Sequence, residues 1–328
     1  MKRIRPALAL LLKSLVSLGI LAFLLTRIDV AQFLRILSTA HLGYVGVAVL
    51  GYFVGQVISS VRWTLLARPL GFKNPGWDFA SFYFIGMFFN LFAPSTVGGD
   101  LGRVFYLARE GVQGQGHSGA GPTAGALISV IMDRAVGMAA LVWVGAAALL
   151  FFPSYSIPPV IQVISYGLAL GLIVGWALLP FAQRLFERLA NPIGRNLRLA
   201  IATYQTNPNV LTQTIALSLI VHVIQATIQL FLGRALALEI PYSYCFILYP
   251  LVGVFSSLPI TLNGFGLREG GYLFLLQLIG ISSEKAIAVG LLWFVVCALD
   301  SLFGGVLYVL RRAPRPSTTV SEIENQLR

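Results

Sequence analysis

Six stretches of this chain are apolar for long enough to cross a bilayer, which leaves few other folds open to it. They cover residues 7–25, 42–66, 124–152, 160–181, 210–232 and 286–310. A hydrocarbon core of about 30 Å takes about 20 helical residues to span. Within it a segment must satisfy its own backbone polar groups, so each stretch is expected to be a helix. The composition agrees: 57% of residues are hydrophobic and 11% charged, whereas soluble domains carry about 25% charged residues. The net charge of +11 does not point to nucleic acid. No basic patch with interleaved aromatics is present, and the positive residues sit between apolar runs, as membrane orientation requires. Cys245 and Cys297 lie in apolar surroundings and imply neither a disulfide framework nor a metal site. The basic start, Met1 to Arg5, leads into an apolar stretch with no small-residue cleavage site after it, so a retained first helix is expected.

Two further apolar units do not fit this template. Residues 79–93 lead into PSTVGGDLGR and then a short helix-like segment, 100–110. Residues 244–258 lead into PITLNGFGLR and then 265–280. Both ten-residue strings follow Pro-x-Thr-x-x-Gly-x-x-x-Arg, from Pro94 to Arg103 and from Pro259 to Arg268, 165 residues apart. Each unit reads as two short helices joined by a Pro/Gly break, which suits a re-entrant hairpin buried in protein or lining a wet cavity. Paired broken segments at matching positions in two halves mark the substrate site of many transporters. Asp133-x-x-x-Gly137 and Asp300-x-x-x-Gly304, in the spans after each unit, extend the repeat.

The charges give an orientation. With the N-terminus cytoplasmic, six spans and two hairpins that do not cross, sixteen Lys and Arg residues fall on the cytoplasmic side. Arg62 and Arg103 are among them. Five fall outside, among them Arg268 and Lys285. This satisfies the positive-inside rule, with both termini cytoplasmic. Three spans separate the two units, so they enter from opposite sides as an inverted repeat. Residues 183–205 and 30–41 read as helices lying on the two interfaces, 111–125 as a loop and 313–328 as a disordered tail. The expected fold is thus all-α, one domain over residues 1–312 with halves at about 42–152 and 210–310.

Several polar residues are candidates for function. Arg103 and Arg268 each fall about one turn past a glycine-bearing break, where a helix N-terminus attracts anions and a guanidinium adds a phosphate fork. Thr96, Gly99, Thr261, Asn263 and Gly264 complete the two headgroup-binding motifs. Asp100 and Glu269 offer the arginines a competing role, locking the hairpins. Asp133 and Arg134 sit inside a span, where ionisable groups are costly and face a partner or a wet cavity. They point about 100° apart and so pair with other helices rather than with each other. Asp300 is placed similarly, and these acids with Arg134 are read as gating or charge balance. A bond from Asp133 or Asp300 to a motif arginine would join a hairpin to its following span. His222, Gln225 and Gln229 form one polar stripe, and Asn90 lies in the first hairpin. Both could line a pathway or bond neighbouring helices. No Walker A motif, Asp-x-Asp pair, His-x-x-x-x-Asp or His-x-x-Glu-His occurs, so neither an enzyme nor a cofactor is expected.

With FNLFAPSTVGGDLGRVFYLAREG (residues 89–111), the Asp133-Arg134-x-x-Gly137 span and SLPITLNGFGLREGGYLFLL (257–276), the chain resembles the lysylphosphatidylglycerol synthase/flippase transmembrane family. The resemblance runs from the first span to about Arg312. It implies a domain of the bacterial inner membrane that moves a modified phospholipid between leaflets, with membrane lipids and a lipid-modifying enzyme as partners. In two-part members a soluble synthase domain follows. Here sixteen residues follow Arg312, so that activity is expected to be absent, and the lipid is an anionic phospholipid or a polyprenyl or glycolipid. Two other classes stand beside this one: a transferase or accessory subunit in glycolipid or polyprenyl-phosphate synthesis, and a small-solute secondary transporter.

Overall fold

The computed structural model describes residues 14–16, 18–20, 22–24, 26, 29–92, 97–110, 121–186, 192–258, 260–261 and 264–311. Among them every regular element is helical. After the partly described stretch at 14–24 come α1 (Val30–Ser38), α2 (Leu42–Ala67), α3 (Gly76–Phe92), α4 (Val97–Glu110), α5 (Pro122–Phe151), α6 (Pro159–Phe186), α7 (Pro192–Gln205), α8 (Pro208–Ala235), α9 (Tyr242–Ser257), α10 (Leu267–Gln277) and α11 (Ser283–Leu310). Four of them (α5 to α8) open on proline, whose missing N–H costs nothing where the helix would leave it unpaired. Asp29 caps α1, its Oδ1 accepting from the Ala31 and Gln32 amides at 2.8 and 3.1 Å.

Among the described residues five helices are long and apolar enough to cross a membrane: Leu42–Leu70, Pro122–Phe151, Pro159–Leu178, Pro208–Ala235 and Ser283–Leu310. They match the second to sixth expected runs, while most of the first, 7–25, and the tail after 311 lie outside the described residues. α3, α4, α9 and α10, of 11 to 17 residues, are each too short for an independent span. The segment expected as a loop at 111–125 is helical from Pro122 onward.

The ends of α11 show how the two short units lie. At its C-terminal end, Arg311 pairs with Asp78 in the first turn of α3 (2.8 Å) and Glu110 at the end of α4 (3.1 Å). At its N-terminal end, Ser283 accepts from Gln277 at the end of α10 (2.9 Å). Tyr244, near the start of α9, donates to the carbonyl of Leu275 in α10. Each unit therefore returns to the level it started from, and the two levels are opposite ends of a helix about 42 Å long.

The helix contacts of the two halves correspond. Exchanging α2, α3, α4 and α5 for α8, α9, α10 and α11 maps one set of neighbours onto another. α3 packs on α11 as α9 packs on α5, α4 on α5 as α10 on α11, and α2 against α8 in the centre. Glycines permit the tightest crossings. A Cβ at Gly304 would overlap the carbonyl of Phe84 in α3, and one at Gly145 would sit 2.9 Å from Cβ of Pro250 in α9. Two apolar clusters form, one around Trp63, Phe79 and Leu107 and one around Tyr244, Leu248 and Leu275. The charged side chains buried among the described residues are Arg62, Arg103, Asp133, Arg268, Glu269 and Asp300.

Candidate functional site

Asp133 joins two of the buried arginines. Its Oδ1 accepts from Nε of Arg62 and its Oδ2 from Nη2 of Arg103, both at 2.8 Å. Arg62 also donates to Ser218 of α8 at 3.1 Å. Gly137, one turn after Asp133, leaves room for the Arg62 guanidinium, which a Cβ there would meet at 3.1 Å. The Arg103 guanidinium lies over Trp63 and Tyr83, 4.2 and 4.5 Å from the ring centroids, an arrangement that favours a cation. The expected bond from a motif arginine to the following span is therefore formed in the first half. Arg103 is buried. Arg62, assigned by sequence to the cytoplasmic surface, is instead a buried member of the cluster. It and Arg103 leave the cytoplasmic count, Arg268 leaves the outer one, and the bias keeps its sign.

Arg134 points another way, as the 100° step predicts. Its Nε and Nη2 donate to the two oxygens of Asp100 at 2.9 and 3.0 Å. Asp100 thus serves Arg134, with Arg103 at 3.5 Å, and does not cap α4. The amide of Gly99 near the start of α4 donates instead to Oδ1 of Asn90 (2.8 Å), and Gly99 packs on the backbone of Gly86.

The second half is built differently. Glu269 accepts from Nε of Arg268 (2.9 Å) and from the amide of Gly266 (2.7 Å), the second bond holding the N-terminus of α10 as a third-position glutamate does. Gly264 and Gly266 have φ of +75° and +85°, open to glycine at little cost, which explains the motif glycine Gly264 and the glycine two residues after it. Arg268 lies 5.2 Å from the rings of both Phe265 and Phe294. The hydroxyl of Thr261 and Oδ2 of Asp300 are buried without a hydrogen-bond partner among the described residues. The Arg268–Asp300 counterpart of Arg103–Asp133 is absent. Thr96 and Asn263 lie outside the described residues.

A cavity of about 230 Å³ lies between the halves, lined by Gln56 of α2, Tyr83 and Asn90 of α3, Arg134 of α5, Arg268 of α10 and Ser301 of α11, among others. The two arginines brought together here are Arg134 and Arg268, not Arg103 and Arg268. Arg134 also belongs to the outward stripe of α5 with Leu127, Ile131 and Met138, and half of its side chain is exposed. Arg134 therefore stands both on the cavity wall and on the outward stripe of α5, near the middle of that helix. Beside that point a groove of about 320 Å³ runs past Phe89, Leu101, Gly102, Phe105 and Tyr308.

The polar stripe of α8 bonds its neighbours. His222 contacts the Gly137 carbonyl (3.0 Å) and the Tyr249 hydroxyl (3.3 Å), and Gln229 accepts from Tyr272 (2.7 Å). Neither is among the cavity residues. Among the described residues no group of three or more His, Cys, Asp or Glu could hold a metal ion.

The family described as the lysylphosphatidylglycerol synthase TM region matches residues 10–304, most of the chain. The chain belongs to that family. No curated protein matches it. Membership and the helical architecture make it a multi-pass membrane protein with a lipid-related function. Within the family match fall both motifs, the Asp133 cluster and every residue named above as lining the cavity.

Proposed function

We propose that this member of the lysylphosphatidylglycerol synthase TM family is a lipid translocator that passes a phosphate-bearing headgroup between leaflets while the acyl chains stay in the bilayer. The carrying observation is the cavity between the halves, with Arg134 and Arg268 on its wall and Arg134 half exposed at mid-height of a spanning helix, which we read as a lateral opening. An aqueous solute has no use for such an opening, whereas a lipid enters sideways through one. Two guanidiniums among aromatic rings suit a phosphate, which takes a bidentate fork and gains strength where water is thin. The groove along α4 supplies an apolar wall for an acyl chain beside the headgroup entrance.

The α3–α4 and α9–α10 units act as re-entrant hairpins of an inverted repeat, one entering from each face of a bacterial-type inner membrane with both termini cytoplasmic. Return of each unit to its own end of α11 and the exchange of packing partners support this reading. Asp133 and Glu269 lock the hairpins, and the exposed Asp100–Arg134 pair is the one that yields to an incoming phosphate. No bond-making step is assigned to the protein, and a lipid-modifying enzyme would be its partner.

Lipid analysis of cells lacking the protein separates this from a transferase. Leaflet-selective labelling followed by mass spectrometry is expected to find the affected lipid at its normal amount but confined to the cytoplasmic leaflet. Loss of a lipid species altogether would assign the protein to synthesis.

A further inference from the structure

We infer that Asp300 is a proton-binding site whose loading and release accompany headgroup movement. The proton-binding part stands on geometry alone, while the coupling rests on the translocator reading.

Asp133 and Asp300 hold equivalent places in the two halves, four residues before Gly137 and Gly304, yet their surroundings are opposite. Asp133 has an arginine on each oxygen. Asp300 is only 4% exposed, and its Oδ2 is buried with no hydrogen-bond partner among the described residues. The hydroxyl beside it is spent, since Ser301 donates to the Cys297 carbonyl at 2.7 Å. An ionised carboxylate taken from water without a partner costs several kcal/mol or more. Such a group takes up a proton and stays neutral.

The groups on the helices packed against α11 do not offer an alternative. α2 brings Tyr52 and Arg62, and Arg62 is bound to Asp133. α3 brings Tyr83 and, at its far end, Asp78, which is held by Arg311 of α11 itself. α10 brings Tyr272, Glu269 and Arg268, the last two bound to each other. α8 brings His222, occupied by Gly137 and Tyr249, and α1 reaches only the Glu284 end, where the amide of Asp29 approaches Glu284. On α11 itself Cys297 is the nearest titratable residue. The lack of an acidic or His/Cys cluster among the described residues makes a proton, rather than a metal ion, the ligand.

Access and consequence come from the same turn of helix. Cys297 and Ser301, which flank Asp300, both line the headgroup cavity, so a proton has a short route from it. Arg268 lines the same cavity as Cys297 and Ser301. When Asp300 is protonated, Arg268 has Glu269 as its single carboxylate partner. When Asp300 releases its proton to the cavity, Arg268 gains a second carboxylate and its hold on a bound phosphate weakens. One proton is taken up and one released per cycle, and no covalent bond to the lipid forms or breaks.

The site is tested on the full chain in lipid nanodiscs by infrared difference spectroscopy across a pH titration. A carboxylic-acid band that titrates in the wild type, persists in Glu284→Gln and is missing in Asp300→Asn is expected. A wild-type spectrum reproduced by Asp300→Asn overturns the site. Coupling is tested in phosphatidylglycerol/phosphatidylethanolamine vesicles carrying a fluorescent phosphatidylglycerol. An imposed pH gradient is expected to change the wild-type rate severalfold and the Asp300→Asn rate not at all. Gradient-independent transport by the wild type overturns the coupling and leaves the site standing. Absence of wild-type transport under every gradient overturns the translocator reading instead, and the infrared result is unaffected.

Discussion

At the scale of single residues, what separates a lock from a site is whether a charge already has a committed partner. Arg62 and Arg103 are buried on Asp133, so Asp133→Asn strands two guanidiniums in an apolar interior. Removing one partner of a buried pair costs about 3–5 kcal/mol. Unfolding in detergent should register a loss of that order, while Asp300→Asn, which breaks no hydrogen bond, should cost far less; equal losses would contradict the asymmetry. Arg134 is the converse case. Half of its side chain is exposed, and exposed pairs contribute about 0–1 kcal/mol, so Arg134→Ala should leave the unfolding midpoint nearly unchanged while slowing lipid movement. Arg134→Lys keeps the charge but loses the fork and should fall between the two. The burial of Asp133 and Asp300 was legible in the sequence, because both lie inside apolar runs. That of Arg62, which also lies inside one, was not, because an arginine six residues from Arg68 passes for a flanking charge. The usable signal was an intramembrane cation with an intramembrane acid two helices away.

At the scale of helices, short elements and close crossings set the shape. The four short helices were legible from length and Pro/Gly breaks, and their bounds in the structure differ from expectation by a few residues. The start of α5 was not, because the Gly/Ser-rich composition of 111–125 hides a helix that begins on Pro122. Pairwise contacts were also invisible: nothing local says that Gly304 passes the Phe84 carbonyl or that Gly99 lies on Gly86. Gly304→Ala forces α3 and α11 apart, and a marked fall in the yield of folded protein by size-exclusion chromatography is expected. Gly102→Leu is the informative contrast. A Cβ there meets Phe89 at an ordinary 3.5 Å, so the fold tolerates it while the side chain fills the groove along α4. Folded yield close to wild type with slowed lipid movement is expected; an unchanged rate would remove the groove from the path.

At the scale of the whole molecule, the paired motifs work as two different devices on one scaffold. The inverted repeat proposed from residues 94–103 and 259–268 draws support from the exchange of packing partners between the halves. The chemistry has diverged, since the first half carries three arginines on two carboxylates and the second carries one arginine on Glu269 with Asp300 apart. That divergence could not be read from a shared Pro-x-Thr-x-x-Gly-x-x-x-Arg string, because it depends on which helix each side chain meets. It moves the first half's contribution to the cavity from Arg103 to Arg134 and leaves Arg268 in place. The most direct test is transbilayer movement of a fluorescent phosphatidylglycerol in vesicles, read by quenching with an impermeant reductant. The wild type should exceed protein-free vesicles, and Arg134→Ala/Arg268→Ala should be slower by about tenfold or more, the effect of losing about 1.4 kcal/mol. A folded double variant moving lipid as fast as the wild type would contradict the account.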